Sequence, residues 1–162
     1  MKRDIVLLLP VLVLLGTSVS CSEDFTPKPL TFTKLFTGET SKTWDLSKVQ
    51  SREKNKSVVT YNLSSCQGDD RYTFYANAER LYEVTNGRNS CDAGEEDLLV
   101  SYTWEYNSAS ATLNLVLPHL FGNFIVPFTV MEIDDDDMIL ELALNDDSTT
   151  AYILYFTKID EN

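Results

Sequence analysis

From residue 42 onward, apolar and polar positions alternate with a period of two. Residues 101–106 read SYTWEY, with Tyr102, Trp104 and Tyr106 on one face and Ser101, Thr103 and Glu105 on the other. That alternation predicts a half-buried strand. The same pattern recurs at residues 42–46, 71–76, 80–84, 112–117, 124–133, 138–144 and 151–159. Short polar connectors such as NAE, NSASA, DDDD and NDDST separate most of these runs. Eight strands joined by short turns predict an all-β fold, an eight-stranded antiparallel up-and-down barrel. Pro127 falls inside the 124–133 run. A closed barrel offers no free edge for it, so a bulge or bend is expected there. Residues 30–39 read as a short N-terminal helical turn plugging one end. Residues 57–63 read either as an extra strand or as an ordered piece of a long loop. If the cleaner apolar face of each strand points inward, Tyr72, Phe74, Tyr102, Trp104 and Tyr106 line one sector of the lumen. Leu113, Leu115 and Leu140 then lie opposite. The aromatic set is the candidate ligand-binding group, because inward hydroxyls need a hydrogen-bond partner.

The N-terminal segment has a different pattern. Lys2 and Arg3 precede an apolar run of eleven residues, 5–15, and small residues lead from it to Cys21. A membrane-spanning helix needs ~20 apolar residues, so the run has the length of a secretory h-region. The placement of Cys21 resembles a bacterial lipoprotein signal, with lipid attached to the cysteine and cleavage just before it. Val19 and Ser20 suit that pattern, and Ser18 stands where an aliphatic residue is usual. The alternative is a plain secreted protein with a cysteine there by chance. Asp does not follow Cys21 directly. The Ser22-Glu23-Asp24 cluster resembles a surface-export signal of lipoproteins from one Gram-negative phylum. The expected organisation is a signal at residues 1–20, a lipidated tether at 21–36 and one barrel domain at 37–162. Localisation at the outer membrane through the lipid anchor follows, with display on the cell surface.

Charge narrows the partners. The chain has 13 Lys+Arg against 25 Asp+Glu, a net of −12. Removing residues 1–20 leaves 11 against 24, a net of −13. Nucleic-acid binding relies on Lys and Arg meeting phosphates, so no nucleic-acid partner is expected. Acyl chains, not charge, hold the protein to the membrane, each buried CH₂ contributing ~0.8 kcal/mol. With Cys21 lipidated, Cys66 and Cys91 remain as an even pair in an oxidising compartment. A disulfide is the default reading, with a reactive thiol pair as the alternative.

Residues 35–46 (LFTGETSKTWDL), 66–74 (CQGDDRYTF), SYTWEY and the closing YILYFTKI together resemble the lipocalin-like lipoproteins of the Bacteroidetes type. The matching positions are Gly38, Trp44, Cys66, Asp69, Asp70, Tyr72, Phe74 and Cys91, and the resemblance spans roughly residues 30–160. It implies a lipocalin-like barrel and, by analogy, a binding role. Gly38 and Trp44 stand six positions apart rather than two, and Lys158 stands where an arginine often covers the tryptophan.

The remaining chemistry is sparse. Acidic stretches at 92–97 and 132–139 offer oxygens for Ca²⁺, but neither matches an EF-hand loop, and both read as hairpin tips. His119 is the chain's single histidine and has no visible nucleophile beside it in sequence. No catalytic residue, metal or cofactor is therefore expected, and the chain is read as a non-enzyme. Two functions follow. One is a binding protein holding a small apolar or glycan-derived ligand at the barrel mouth. The other is an interaction lipoprotein docking onto a larger outer-membrane complex. The anchor is directly testable. Mass spectrometry of the mature protein should find acyl chains on Cys21 and no residues before it. Unchanged membrane partitioning of Cys21→Ala would rule lipidation out.

Overall fold

The computed structural model describes residues 31–159. The signal at 1–20, the lipid attachment at Cys21 and tether residues 21–30 lie outside the described residues. The chain begins with helix α1 (Thr31–Thr37), followed by strand β1 (Ser41–Arg52) and the short β2 (Val59–Tyr61). A hairpin of β3 (Arg71–Tyr75) and β4 (Leu81–Thr85) comes next, then β5 (Leu98–Thr103), β6 (Glu105–Asn107) and β7 (Thr112–Leu117). A single helical turn, α2 (Pro118–Phe121), leads into β8 (Gly122–Ile133), β9 (Asp137–Ala143) and β10 (Ala151–Lys158).

All pairings are antiparallel, and the sheet runs β5-β4-β3-β1-β10-β9-β8-β7-β6, with β2 added to β1. Its two ends, β5 and β6, are separated in sequence by Trp104 alone. One bent segment therefore supplies both edges, and the sheet curls into a nearly closed barrel. Ten strands form, not the eight expected. The SYTWEY run divides at Trp104 into β5 and β6, and Val59–Tyr61 pairs with β1 as β2. The first strand is also longer than its alternation suggested. The register shifts between Leu46 and Lys48, and the Ser47 hydroxyl donates to the Tyr155 carbonyl. This bulge brings Val49 inward out of phase with Trp44 and Leu46, which hides the strand's second half from a period-two reading.

No register shift falls at Pro127. It pairs with Asn114 in an unbroken stretch of register, and the shifts in β8 fall at 122–125 and 130–132. The ladder to β9 begins only at Thr129, so the missing N–H of Pro127 breaks no bond on that side. The first half of β8 overhangs the barrel with β7 as its one ladder partner, which leaves Phe124 75 % exposed.

The interior is filled. Trp44, Leu46, Tyr72, Phe74, Tyr82, Val84, Leu113, Leu115, Phe128, Met138, Leu140, Leu154 and Phe156 are buried in one contiguous cluster. At one end α1 acts as a plug, and residues 31–36 of the segment read as tether belong to it. Phe36 lies among Phe74, Trp104 and Tyr106, with ring centroids 6.0, 5.8 and 5.2 Å away. The Trp44 indole donates to the Phe36 carbonyl at 3.1 Å. Gly38 ends the helix with φ +62°, a left-handed position that favours glycine. Its N–H donates to the Lys34 carbonyl. The cation over Trp44 is Lys42, 4.9 Å from the ring. Phe36→Ala removes the plug's anchor and should cost ~3–5 kcal/mol of stability in chemical denaturation. A loss under ~1 kcal/mol would contradict a packed closed end.

Candidate functional site

The end opposite α1 is the mouth. The end of β1, the short β2, the starts of β3, β5 and β10, and α2 gather there. Beside α2 lies a pocket of about 400 Å³ lined by Val49, Tyr61, Asn62, Leu63, Gln67, Leu120, Phe121 and Tyr152. Val49 is brought to it by the bulge at Ser47, and Tyr61 by β2. The Tyr152 ring stands 5.9 Å from Tyr61 and 6.0 Å from Phe121. The walls are thus three aromatic rings and aliphatic groups, with the Asn62 and Gln67 amides as polar groups. No charged side chain lines the pocket, although the chain as a whole carries −12. Small-molecule sites in general are apolar with a few polar groups and have volumes of ~300–1,000 Å³, and this pocket falls within that description.

A larger depression of about 600 Å³ lies at the closed end, lined in part by Lys34, Lys42, Asp135 and Lys158. Its cations have partners. Lys34 pairs with Glu39, and the Lys42 ammonium donates to the carbonyls of Leu35 and Asp135. Burial depresses the Lys42 pKa, partly offset by Asp135. These contacts tie α1 and the 134–136 turn to the barrel, which is a structural task.

The mouth is braced from the other side by two loops. The Cys66–Cys91 disulfide joins residues 62–70 to residues 86–97. Asp69 adds to this. Its Oδ2 accepts from the Arg88 and Asn89 N–H groups and from the Asn89 amide. Gly87 packs so closely that a Cβ there would sit 2.0 Å from the Asp69 carbonyl oxygen. Gln67 donates to the His119 carbonyl at 2.8 Å, connecting the first loop to α2.

His119 completes the brace. Its Nδ1 lies 2.7 Å from Asp70 Oδ2, and its Nε2 lies 2.8 Å from Glu95 Oε1. The sequence placed no orienting partner near His119, because Asp70 and Glu95 are 49 and 24 residues away. Only the folded loops bring them together. Burial raises the fully buried Asp70 to about 6, against the pull of His119. Burial pushes His119 down, but hydrogen bonds to Glu95 and Asp70 outweigh it, and its pKa rises. The hydrogen bond from His119 holds Glu95 below its ordinary value. With both ring nitrogens engaged, neither can take a proton from a substrate while the bridge is closed.

The five aromatic residues proposed from sequence take different places. Tyr72, Phe74 and Trp104 are buried in the core cluster, and Tyr106 packs against it beside Phe36. Tyr102 pairs with Tyr82 and so shares its inward side. It nevertheless remains 44 % exposed, because β5 and β7 share no ladder and a seam opens between them. The Tyr82 hydroxyl donates across this seam to the Val116 carbonyl. Tyr72 Oη and Asp70 Oδ1 are buried without a hydrogen-bond partner among the described residues. None of the five lines the mouth pocket. Among the described residues, no cluster of three or more His, Cys, Asp or Glu side chains is arranged to hold a metal. No helix among them is long and apolar enough to cross a membrane, which says nothing of β-strands. No protein-family model matches the chain, and no curated protein matches it significantly.

Two outcomes follow from the brace. The disulfide spans 25 residues, for which the chain-entropy model gives ~3.5 kcal/mol. Reduction should therefore lower the melting temperature, and an unchanged value would contradict the role of the bond. The pH response has a definite sign. A carboxyl raised on folding makes the native state hold its proton more tightly. Stability should then fall as pH rises from about 4 to about 6, by on the order of 2 kcal/mol from Asp70. The contribution of His119 is present below its ordinary value and is lost as pH rises through its raised one. Asp70→Asn should remove the fall between pH 4 and 6 in urea unfolding. Persistence of that slope would assign it elsewhere.

Proposed function

We propose that the protein is a lipid-anchored, lipocalin-like binding protein of the outer membrane, displayed outward, which holds a small neutral ligand in the mouth pocket. The observation that carries this reading is the uncharged aromatic pocket of about 400 Å³ in a strongly acidic chain. The filled interior leaves the mouth as the binding place, and its composition suits an apolar ring compound or a glycan-derived ring. Aromatic faces stack on either, and the Asn62 and Gln67 amides add polar contact. The lipocalin-like assignment is supported by the sequential antiparallel order and by Trp44 under a helical plug at the start of β1. Thr31, ten residues after Cys21, enters the fold at the closed end. The chain that would lead to an anchor at Cys21 thus leaves the described fold at the end away from the mouth.

A second reading, docking onto a larger outer-membrane complex, draws on the β8 overhang, where Phe124 and Ile125 are 75 % and 51 % exposed. Fluorescence titration with N-phenyl-1-naphthylamine, a neutral apolar probe, separates the two. The probe should bind one to one and be displaced by a neutral apolar or saccharide competitor. Phe121→Ala and Tyr152→Ala should each weaken it about tenfold, the equivalent of ~1.4 kcal/mol. No binding to the wild type, or equal binding to both variants, would remove the pocket reading and leave docking.

A further inference from the structure

We propose that His119 is a positioning residue for the mouth pocket: protonated, it bridges Asp70 and Glu95 and holds Leu120 and Phe121 as pocket walls, and deprotonated it releases one carboxylate and loosens them. This inference rests on the reading of that pocket as the ligand site.

The geometry couples the two directly. Leu120 and Phe121 immediately follow His119 in the single turn of α2, and both line the pocket. A four-residue helix contributes little stability of its own, so contacts outside α2 must hold it. On the pocket side Phe121 packs on Phe128 and Tyr152, with ring centroids 5.9 and 6.0 Å away. On the opposite side stands the His119 bridge. Gln67 joins the two sides, since it lines the pocket and donates to the His119 carbonyl. The bridge also spans the barrel's open seam. Glu95 belongs to the loop leading into β5, while His119 follows β7, and no ladder joins those strands. Over this stretch the bridge does the work that backbone pairing does elsewhere around the barrel.

The bridge requires a proton. An imidazolium donates from both nitrogens, one to each carboxylate. A neutral ring donates from one nitrogen only, and the lone pair of the other then faces a carboxylate oxygen. The charges acting on the ring are those of Asp70, at the start of β3, and Glu95, in the 86–97 loop. Behind Asp70 lie Asp69 and the buried hydroxyls of Tyr72 and Tyr82. The two carboxylates favour the protonated ring and outweigh the opposing effect of burial. The bridge carries its full charge above about 6, where Asp70 ionises, and up to the raised value of His119. Affinity for a pocket ligand should therefore fall as pH rises through the His119 titration.

The test uses the full chain and N-phenyl-1-naphthylamine. Its dissociation constant should increase roughly fivefold or more between pH 6.5 and 9, within the range of ordinary site-to-site coupling. The midpoint should match the His119 titration read by NMR, which is unambiguous because the chain has one histidine. Probe binding should in turn raise the His119 midpoint, as linkage requires. His119→Arg keeps a positive charge at pH 9 and should flatten the profile at high affinity. Glu95→Gln should lower both midpoints together. A pH-independent affinity, or the same profile in His119→Arg, would overturn the inference while leaving the pocket reading intact. If the probe binds at no pH, the pocket reading is lost, and the Leu63 and Phe121 signals of the free protein decide the coupling. Titration of those signals with the His119 midpoint supports it, and flat signals overturn it.

Discussion

A single backbone segment, residues 98–107, forms both edges of the sheet. Its first half pairs with β4 and its second half with β7, and the change of partner occurs at Trp104. The sheet must therefore curl until its two ends meet at that residue. Trp104 is held there by Phe36 and Phe74 and by its indole N–H, which reaches the Tyr75 carbonyl. The two sheet ends come together at Trp104 beside α1 and part toward the mouth, where β5 and β7 share no ladder. The filled interior, the exposed Tyr102 and the need for a bridge across the mouth all follow from this one constraint.

Closing the mouth with side chains has consequences that a backbone ladder would not have. Ladder hydrogen bonds do not titrate, whereas the Asp70–His119–Glu95 bridge does. Buried charge is costly unless paired and hydrogen-bonded, and Asp70 shows that cost in its raised pKa. The disulfide and the Asp69–Gly87 contact fix the two loops to each other, so the bridge adjusts a mouth that is already assembled. That division places the titrating contact beside the pocket walls.

Much of the fold was legible in the alternation of apolar residues, because each strand buries one face. Runs such as TLNLVL and AYILYFTKI mark β7 and β10 directly. The limits of that signal have physical causes. The bulge at Ser47 inverts the phase of β1 and masks its continuation, and the change of partner at Trp104 leaves the alternation intact while splitting one run into two strands. Pro127 suggested a bend because the overhang of β8 beyond β9 depends on strand lengths, not on any local residue. The site was less legible. His119 gains its meaning from two carboxylates brought close by loops of irregular structure, and the pocket draws on β1, β2, the 62–70 loop, α2 and β10. The aromatic residues most visible in the sequence build the core, Tyr102 excepted.

In the proposed function a small neutral molecule occupies the mouth between α2 and the end of β1. NMR shift mapping with N-phenyl-1-naphthylamine addresses it most directly. The largest changes should fall at Val49, Leu63, Phe121 and Tyr152, with Lys34 to Gly38 at the closed end undisturbed. Changes confined to Phe124 and Ile125 on the outer overhang, or none at any residue, would contradict it.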